Sequence, residues 1–319
     1  MGTGYLYSAH RIGRLTLSID SNNRNIYRTV NGMSGIRARW ELILFPPLML
    51  TLVLLIASQF IFVRGSFHKD LGYGDLSTKY EFVNYAKAFT DPFYLDVLLL
   101  SINISAAATV LTMICAVPVA YIIARMTSRW AMLFLSLVVV AQFITIAIKV
   151  LGLIVLFSPD GIINKVFLAL GIIEDTFTIL GSFTGVIVGL MYYSLGFAVL
   201  LIYSIILTIP RSLEEAAQIH GASRLSVYRR IILPLTMPGI VISSLMVFNI
   251  SIGGFASTAL IGAGKILTLP VIVQQTVIVQ SNYGMGGALA VILLLAVILI
   301  NLFMIAIVKR FRRGPEFTV

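Results

Sequence analysis

The chain has 319 residues, 59% of them hydrophobic and 11% charged, with a mean hydropathy of +0.98. This composition lies far outside the range of soluble globular proteins and indicates an integral membrane protein. The apolar runs are long and lack the alternating pattern of a membrane β-barrel, so we expect helical spans. The net charge of +10 does not indicate a nucleic-acid partner, because the basic residues stand at the ends of apolar runs. The single cysteine, Cys115, allows no internal disulfide and no cysteine-based metal cluster, and we expect no cofactor.

The predicted fold is an all-α polytopic membrane protein with six transmembrane helices. Residues 1–40 form a basic N-terminal extension without the apolar core of a signal peptide, and they are predicted to be mostly disordered. Residues 41–94 hold the first span, which has Pro46 and Pro47 near its start, and a folded external loop. The alternative for the extension is an interfacial helix with one apolar face, made of Tyr5, Ile12 and Ile19.

Residues 95–308 are predicted to hold the other five spans, and residues 309–319 form a basic tail. The five spans are expected at about 95–124, 130–157, 181–207, 235–261 and 284–308. The fourth of the six spans begins with glycines at intervals of four residues, which predicts a helical face that lies against a neighbouring helix backbone. These helix-packing glycines are Gly181, Gly185 and Gly189.

A few polar residues stand within the apolar runs, where hydrocarbon makes them costly. They are candidates for contact with a transported solute, and the alternative for each is structural pairing between helices. Adjacent glycines in the fifth span also predict a distorted helix there. The candidate pathway residues are Gln142 and Lys149 in the third span and Asn249 and Ser251 in the fifth.

Residues 212–239 form a polar loop between the fourth and fifth spans. Ser212 and Glu215 have the spacing of a capping box, which predicts a short helix from about Leu213. Gly221 is predicted to end this helix in the left-handed conformation. Ser223 then caps a second turn that is expected to place Leu225, Tyr228 and Ile232 on one side.

The distribution of basic residues predicts which side of the membrane this loop occupies. Residues 1–40, 125–129, 208–234 and 309–319 hold 16 of the 23 Lys and Arg residues. With six spans, these four segments lie on one side, so the positive-inside rule places the loop and both termini in the cytoplasm.

The chain lacks an energy source of its own. Its nearest approach to a phosphate loop, residues 262–265, is followed by Ile266 where Ser or Thr is needed. Beyond the first turn of each span there is no acidic residue or histidine to couple transport to an ion gradient. Motifs for intramembrane catalysis are also missing, so an enzyme is not expected.

The polar loop contains a spaced set of residues, namely Glu215, Ala216, Ala217, Gly221, Ile231, Leu233 and Pro234. This pattern resembles the EAA loop of permease subunits of bacterial ABC importers, and Glu214 stands beside it as a further coupling candidate. The resemblance implies a type I importer fold and a loop helix that docks on a separate cytoplasmic ATPase subunit. It also implies an inner-membrane complex with two copies of that ATPase, a second permease chain and an external solute-binding protein, with lipid around the spans.

Three segments resemble the spermidine/putrescine-type group within that family, namely residues 158–173, 253–275 and 283–294. The group implies a small organic solute such as a polyamine or an opine, and a different, related chain as the second permease. One departure is that Lys149 is followed by aliphatic residues and glycine where polyamine permeases tend to have aromatics, and a lysine suits a carboxylate or a phosphate. The alternatives to an importer subunit are a scaffold or receptor subunit without transport and an ion-coupled carrier.

Overall fold

The computed structural model describes residues 23–72 and 74–312, with the side chains of residues 44–72 and 74–306. The alternative helix through Tyr5, Ile12 and Ile19 lies outside the described residues, as do residues 1–22 of the N-terminal extension as a whole and residues 313–319 of the basic tail. The chain falls into two units, one ending at Phe60 and one beginning at Ile61.

Helix α1 runs over Asn23–Ser66, so residues 23–40 are helical and the prediction of disorder is wrong for them. Pro46 and Pro47 therefore lie inside the helix rather than near its start. Each proline removes one backbone donor, a cost that membrane helices tolerate better than soluble ones. Within the first unit, side chains from Leu44 to Phe60 are exposed and almost all apolar, as expected for a surface in contact with lipid.

The loop that follows the first span contains a small β-hairpin that no sequence pattern predicted. Strand β1 (His68–Gly72) pairs antiparallel with strand β2 (Asp75–Tyr80), and Gly72 and Gly74 at the turn have φ of 99° and 89°. Helix α2 (Val83–Thr90) follows. The buried side chain of Asn84 donates hydrogen bonds to the carbonyl oxygens of Ser66 and His68, which attaches α2 to the start of the hairpin.

Helices α3 (Pro92–Arg125) and α7 (Phe183–Leu207) pack together at the centre of the second unit, with α10 (Leu233–Ile252) against both. A stripe of small residues on α3 makes this close approach possible, since Ala108, Ala116 and Ala120 are fully buried. The hydroxyl groups of Thr112 and Ser194 lie 3.2 Å apart across the α3–α7 contact.

The predicted third span is broken into α4 (Arg129–Phe143) and α5 (Ile146–Leu156), which meet at 102°. The prediction of one continuous helix over residues 130–157 is therefore wrong. Thr145 is extended, with ψ of 148°, and neither proline nor glycine marks the break. Helix α6 (Ile162–Ala169) follows, and the buried Asn164 holds its loop by hydrogen bonds to Ser158 and Phe177.

Helix α8 (Ser212–Ile219) and helix α9 (Arg224–Val227) form the loop before α10, with a π-helical turn over Tyr228–Ile232. After α10, Gly253 and Gly254 interrupt the fifth span, as its predicted distortion requires. The remaining elements are α11 (Phe255–Gly262), α12 (Leu269–Gln274), a second π-helical turn over Gln275–Val279, and α13 (Tyr283–Arg312).

Five of the described helices are long and apolar enough to cross a membrane, and the bent pair of α4 and α5 makes a sixth if it counts as one span. The prediction of an all-α, polytopic membrane fold is confirmed. The five spans are Leu44–Gly65, Pro92–Arg125, Phe183–Leu207, Arg224–Ile252 and Tyr283–Ala306.

Candidate functional site

Helix α8 forms where the sequence predicts it, but the capping box does not. The N-cap is Arg211, and no side chain caps the helix. The first amides are instead satisfied by the preceding backbone, since the N–H of Leu213 donates to the carbonyl of Pro210 and that of Glu214 to the carbonyl of Arg211. The preceding backbone already turns at this point, so Ser212 lies inside the first turn and its hydroxyl has no free amide to cap.

Gly221 ends α8 in the left-handed conformation, with φ of 81°. The N–H of Gly221 donates to Gln218 and that of Ala222 donates to Ala217, at 2.9 and 3.0 Å, which is the Schellman pattern. A Cβ atom at Gly221 would meet nothing within 4 Å. The requirement for glycine here is therefore conformational rather than steric.

The second turn is capped as predicted, because the Ser223 hydroxyl accepts from the N–H of Ser226. The face that it presents differs from the prediction. Leu225 is 62% exposed, while Val227 and Ile232 are buried. The π-helical turn at Tyr228–Ile232 explains the difference, because it adds one residue to the turn and so brings positions five apart onto the same side.

A polar cluster, here called the α3–α8 cluster, joins the end of α3 to α8 and consists of Tyr121, Arg125, Arg211 and Glu214. Arg125 Nε lies 2.5 Å from Glu214 Oε1, and both side chains are largely buried. The Tyr121 hydroxyl donates to Glu214 Oε2 at 3.1 Å. Both carboxylate oxygens of Glu214 thus lie close to a group on α3.

Two arginines in this cluster also bind backbone carbonyl groups across the same junction. Arg125 on α3 donates to the carbonyl of Ile209, and Arg211 before α8 donates to the carbonyl of Ala124, at 3.1 and 3.3 Å. The two bonds together attach the segment that precedes α8 to the end of α3. No local sequence pattern predicts the contacts of Arg125, Arg211 and Tyr121, because their partners lie about 90 positions away.

The two neighbouring glutamates of α8 have different environments. Glu214 is buried in the α3–α8 cluster, whereas Glu215 and Ala216 are exposed and Ala217 is half-buried. The apolar side chains of Leu213 and Ile219 are also exposed, by 44% and 83%. On the Glu214 side of α8 lies an open groove of about 610 Å³, lined by Tyr121, Arg125 and Glu214 of the cluster and by Met126, Thr127, Ser128, Gln218 and Arg224.

The other three residues of the loop motif lie where the loop enters α10. Ile231 and Leu233 are half-buried, and Leu233 packs against the central core of α3 and α7. Pro234 is exposed at the start of α10, where the backbone continues as a helix from the π-helical turn, so its missing N–H removes one donor from a continuous helical segment. These residues fix the end of the loop, while α8 presents its exposed face.

The candidate pathway residues of the third span both face α7. Lys149 on α5 is 5% exposed, and its Nζ lies 5.9 and 5.6 Å from the ring centroids of Tyr192 and Tyr193. Gln142 on α4 lies against Gly196, since a Cβ there would come 2.7 Å from Gln142 Oε1. Sequence reasoning missed the two tyrosines, because they lie more than 40 positions from Lys149.

The two candidate pathway residues of the fifth span have different surroundings. Asn249 exchanges side-chain hydrogen bonds with Asn301 of α13, the shorter one 2.8 Å long, so its amide joins two helices. Ser251 is buried, and its hydroxyl has no hydrogen-bond partner among the described residues.

The three helix-packing glycines do not form one helical face. Gly181 lies outside α7 with φ of 68°, so the predicted three-residue stripe is wrong. Gly185 is needed by its own chain, because a Cβ there would clash with the carbonyl of Ile179 in the preceding turn. Only Gly189 of the three meets a neighbouring helix, with a Cβ position 2.6 Å from the Ser257 hydroxyl of α11.

Relatives that are similar in sequence to this chain include permease proteins of transport systems. The spermidine/putrescine transport system permease protein PotB of Salmonella typhimurium strain SL1344 is 34% identical over 210 residues, which cover 66% of this chain and 73% of the relative. The PotB protein of Escherichia coli strain K12 is 33% identical over 210 residues, which cover 66% and 76%.

The solved structures agree on the fold. A chain of a bacterial ABC transporter involved in the import of the acidic polysaccharide alginate superposes with a TM-score of 0.73 at 17% identity, covering 88% of this chain and 99% of that chain. The family model described as binding-protein-dependent transport system inner membrane component matches residues 116–315. The chain therefore belongs to this family and is a multi-pass inner-membrane permease subunit with the fold of an ABC importer.

Proposed function

We propose that this permease subunit forms part of the translocation pathway for a small organic solute and receives the energy of ATP hydrolysis through residues 212–239. The solute is a polyamine, an opine or a related compound, in keeping with the named transport systems of the relatives. Two copies of a cytoplasmic ATPase, a second, related permease chain and an external solute-binding protein complete the importer. The chain has no phosphate loop, which supports a separate ATPase.

The exposed face of α8 carries the proposal. Ile219 is a large apolar side chain that is 83% exposed one helical turn after the exposed Glu215, so the two lie on the same face of α8. A mixed apolar and acidic patch of this kind is typical of a protein-docking surface rather than a lipid-facing one. We assign it to the ATPase, with Glu215 as the charged contact.

The α3–α8 cluster provides the route by which motion of α8 reaches the spans. Glu214 and Arg211 attach α8 to the end of α3, and α3 packs along α7 and α10. When the ATPase displaces α8, the end of α3 moves with it as a rigid element. Glu215 therefore contacts the ATPase, while Glu214 transmits the motion of α8 to the end of α3.

The positive-inside distribution supports a cytoplasmic position for this loop and for both termini. On that basis, the hairpin of β1 and β2 and helix α2 face the external solute-binding protein.

The test uses Gly221, because its left-handed backbone ends α8 and a Cβ added there would meet nothing within 4 Å. Gly221→Val should reduce uptake about tenfold or more, because a β-branched residue at positive φ costs about 1–2 kcal/mol and shifts the end of α8. The measurement is solute-dependent uptake, together with ATP hydrolysis stimulated by the solute-binding protein, in proteoliposomes with the assembled importer.

The matched control is Gly221→Asn, since asparagine tolerates the left-handed conformation, and it should keep most of the activity. Equal membrane levels of the two variants separate coupling from insertion. Unchanged uptake by Gly221→Val would remove the coupling role, and purification without a stoichiometric ATPase would favour a scaffold. Uptake into ATPase-free vesicles would instead indicate an ion-coupled carrier.

A further inference from the structure

Lys149 is a buried cation whose immediate neighbours are aromatic. Its side chain is 5% exposed, and its Nζ lies within 6 Å of the ring centroids of Tyr192 and Tyr193 on α7. Two ring faces attract an ammonium group, but they carry no net charge and do not replace its hydration. The site therefore lacks a group that balances the charge.

The chain supplies no acidic residue to balance it. Its sequence has no Asp or Glu from residue 97 to 159 or from 176 to 213, which covers α4, α5 and all of α7. Among the side chains that the structure describes, the ion pair of Arg125 and Glu214 is the only one present. Buried charges in membrane proteins are normally paired, so the counter-charge for Lys149 comes from outside this chain.

Gln142 of α4 provides a second polar group without a partner beside the same stretch of α7. Gln142 Oε1 is buried and has no hydrogen-bond partner within the described part of the chain. It lies against Gly196, one helical turn after Tyr192, on the side of α7 that also faces Lys149. Tyr192 itself is 43% exposed, so this chain does not enclose its ring.

We propose that Lys149, with Tyr192, Tyr193 and Gln142, forms a contact site for an anionic group of the transported solute, a carboxylate or a phosphate. This inference rests on the proposed function and narrows it, because a solute with only ammonium groups would meet a like charge here and find its aromatic faces already occupied. A carboxylate-bearing solute such as an opine fits the site, and a polyamine does not.

The test measures the local charge with two thiol reagents of similar size, so that the solute itself need not be known. Tyr192→Cys is introduced together with Cys115→Ala, and the assembled importer is treated with an anionic sulfonate or a cationic trimethylammonium methanethiosulfonate. The labelling rate with each reagent is divided by the rate at which the same reagent labels a free thiol in solution. The anion should be preferred about tenfold, because a positive charge about 6 Å away acts even when screened as in water.

In the same background, Lys149→Gln should bring the ratio of the anionic to the cationic labelling rate close to one, and Lys149→Arg should keep this ratio raised. The two variants together distinguish an effect of the charge from an effect of the side-chain shape. An unchanged ratio in Lys149→Gln overturns the proposal. A ratio near one while Lys149 is present also overturns it, because an acid of the second permease chain then neutralises the lysine. The absence of labelling by either reagent overturns it too, because the site is then closed to water.

The stimulation of ATP hydrolysis by the solute-binding protein is measured on an importer that carries Cys115→Ala alone, with Lys149 and Tyr192 intact. A stimulated importer without the anion preference refutes this inference alone. A preparation without any stimulation refutes the proposed function.

Discussion

The α3–α8 cluster and the site around Lys149 both bury charge, and they differ in what surrounds it. In the cluster, Glu214 lies beside Arg125 and Tyr121, and the arginines also donate to backbone carbonyl groups. Beside the middle of α7, Lys149 has two aromatic rings and no acidic neighbour among the described residues.

This difference separates a structural junction from a binding surface. A cluster whose charged groups are paired within the chain holds two elements in one arrangement and needs no outside partner. A buried charge that is left unpaired costs stability, and such a cost persists where a ligand or another subunit supplies the missing group. Substitutions at the two sites should therefore change stability in opposite directions.

The largest expected effect is in the cluster. Glu214→Gln should lower the free energy of unfolding by about 3 kcal/mol, because it leaves the Arg125 guanidinium buried without a counter-charge. Unfolding of the purified permease in mixed micelles, followed by circular dichroism, measures the change. A double-mutant cycle with Arg125→Gln should give a combined loss smaller than the sum of the single losses.

The adjacent residue provides the control. Glu215→Gln should change the free energy of unfolding by less than about 0.5 kcal/mol, because Glu215 is exposed. Equal losses for Glu214→Gln and Glu215→Gln would show that the cluster does not support the fold.

The opposite sign is expected at the second site. Lys149→Met should raise the free energy of unfolding of the isolated permease by about 1 kcal/mol, because it removes an unpaired buried charge and keeps a similar volume. The same unfolding titration measures it, and Lys149→Arg, which keeps the charge, should bring no gain. A loss as large as that of Glu214→Gln would mean that Lys149 is paired after all.

The smallest effect is expected for the amide pair of Asn249 and Asn301. Asn249→Leu should cost about 0.6 kcal/mol, the usual scale of a hydrogen bond between membrane helices. The double substitution of both asparagines by leucine should cost no more than the single one, since no amide is then left unpaired. A loss of unfolding free energy near that of Glu214→Gln would show that this pair stabilises the fold as much as the α3–α8 cluster does, and is not an ordinary contact between helices.

The sequence predicted the features that depend on local patterns. Long apolar runs indicated the spans, Gly221 the end of α8, and Ser223 the cap of α9, because hydropathy, left-handed backbone and capping are properties of a few neighbouring residues. The family resemblance added the type of fold, which the comparisons confirm.

Features that depend on distant residues were not predictable in this way. The bend between α4 and α5 has no proline or glycine at residues 144 and 145, so it depends on distant packing, of α4 against α7 and of α5 against α11 and α7. The capping box at Ser212 was outcompeted by the backbone of Pro210 and Arg211. The ion pair of Glu214 with Arg125 joins positions that no local pattern relates.

The π-helical turn at Tyr228–Ile232 constrains the length of the loop. Val227 and Ile232 are both buried and lie five positions apart, a spacing that this wider turn places on one side. An inserted residue between them would rotate one side of the junction by about 100° and turn one of the two side chains outward. Removing one residue would leave them four positions apart, which is the ordinary α-helical spacing, so a deletion at this position should be tolerated better than an insertion.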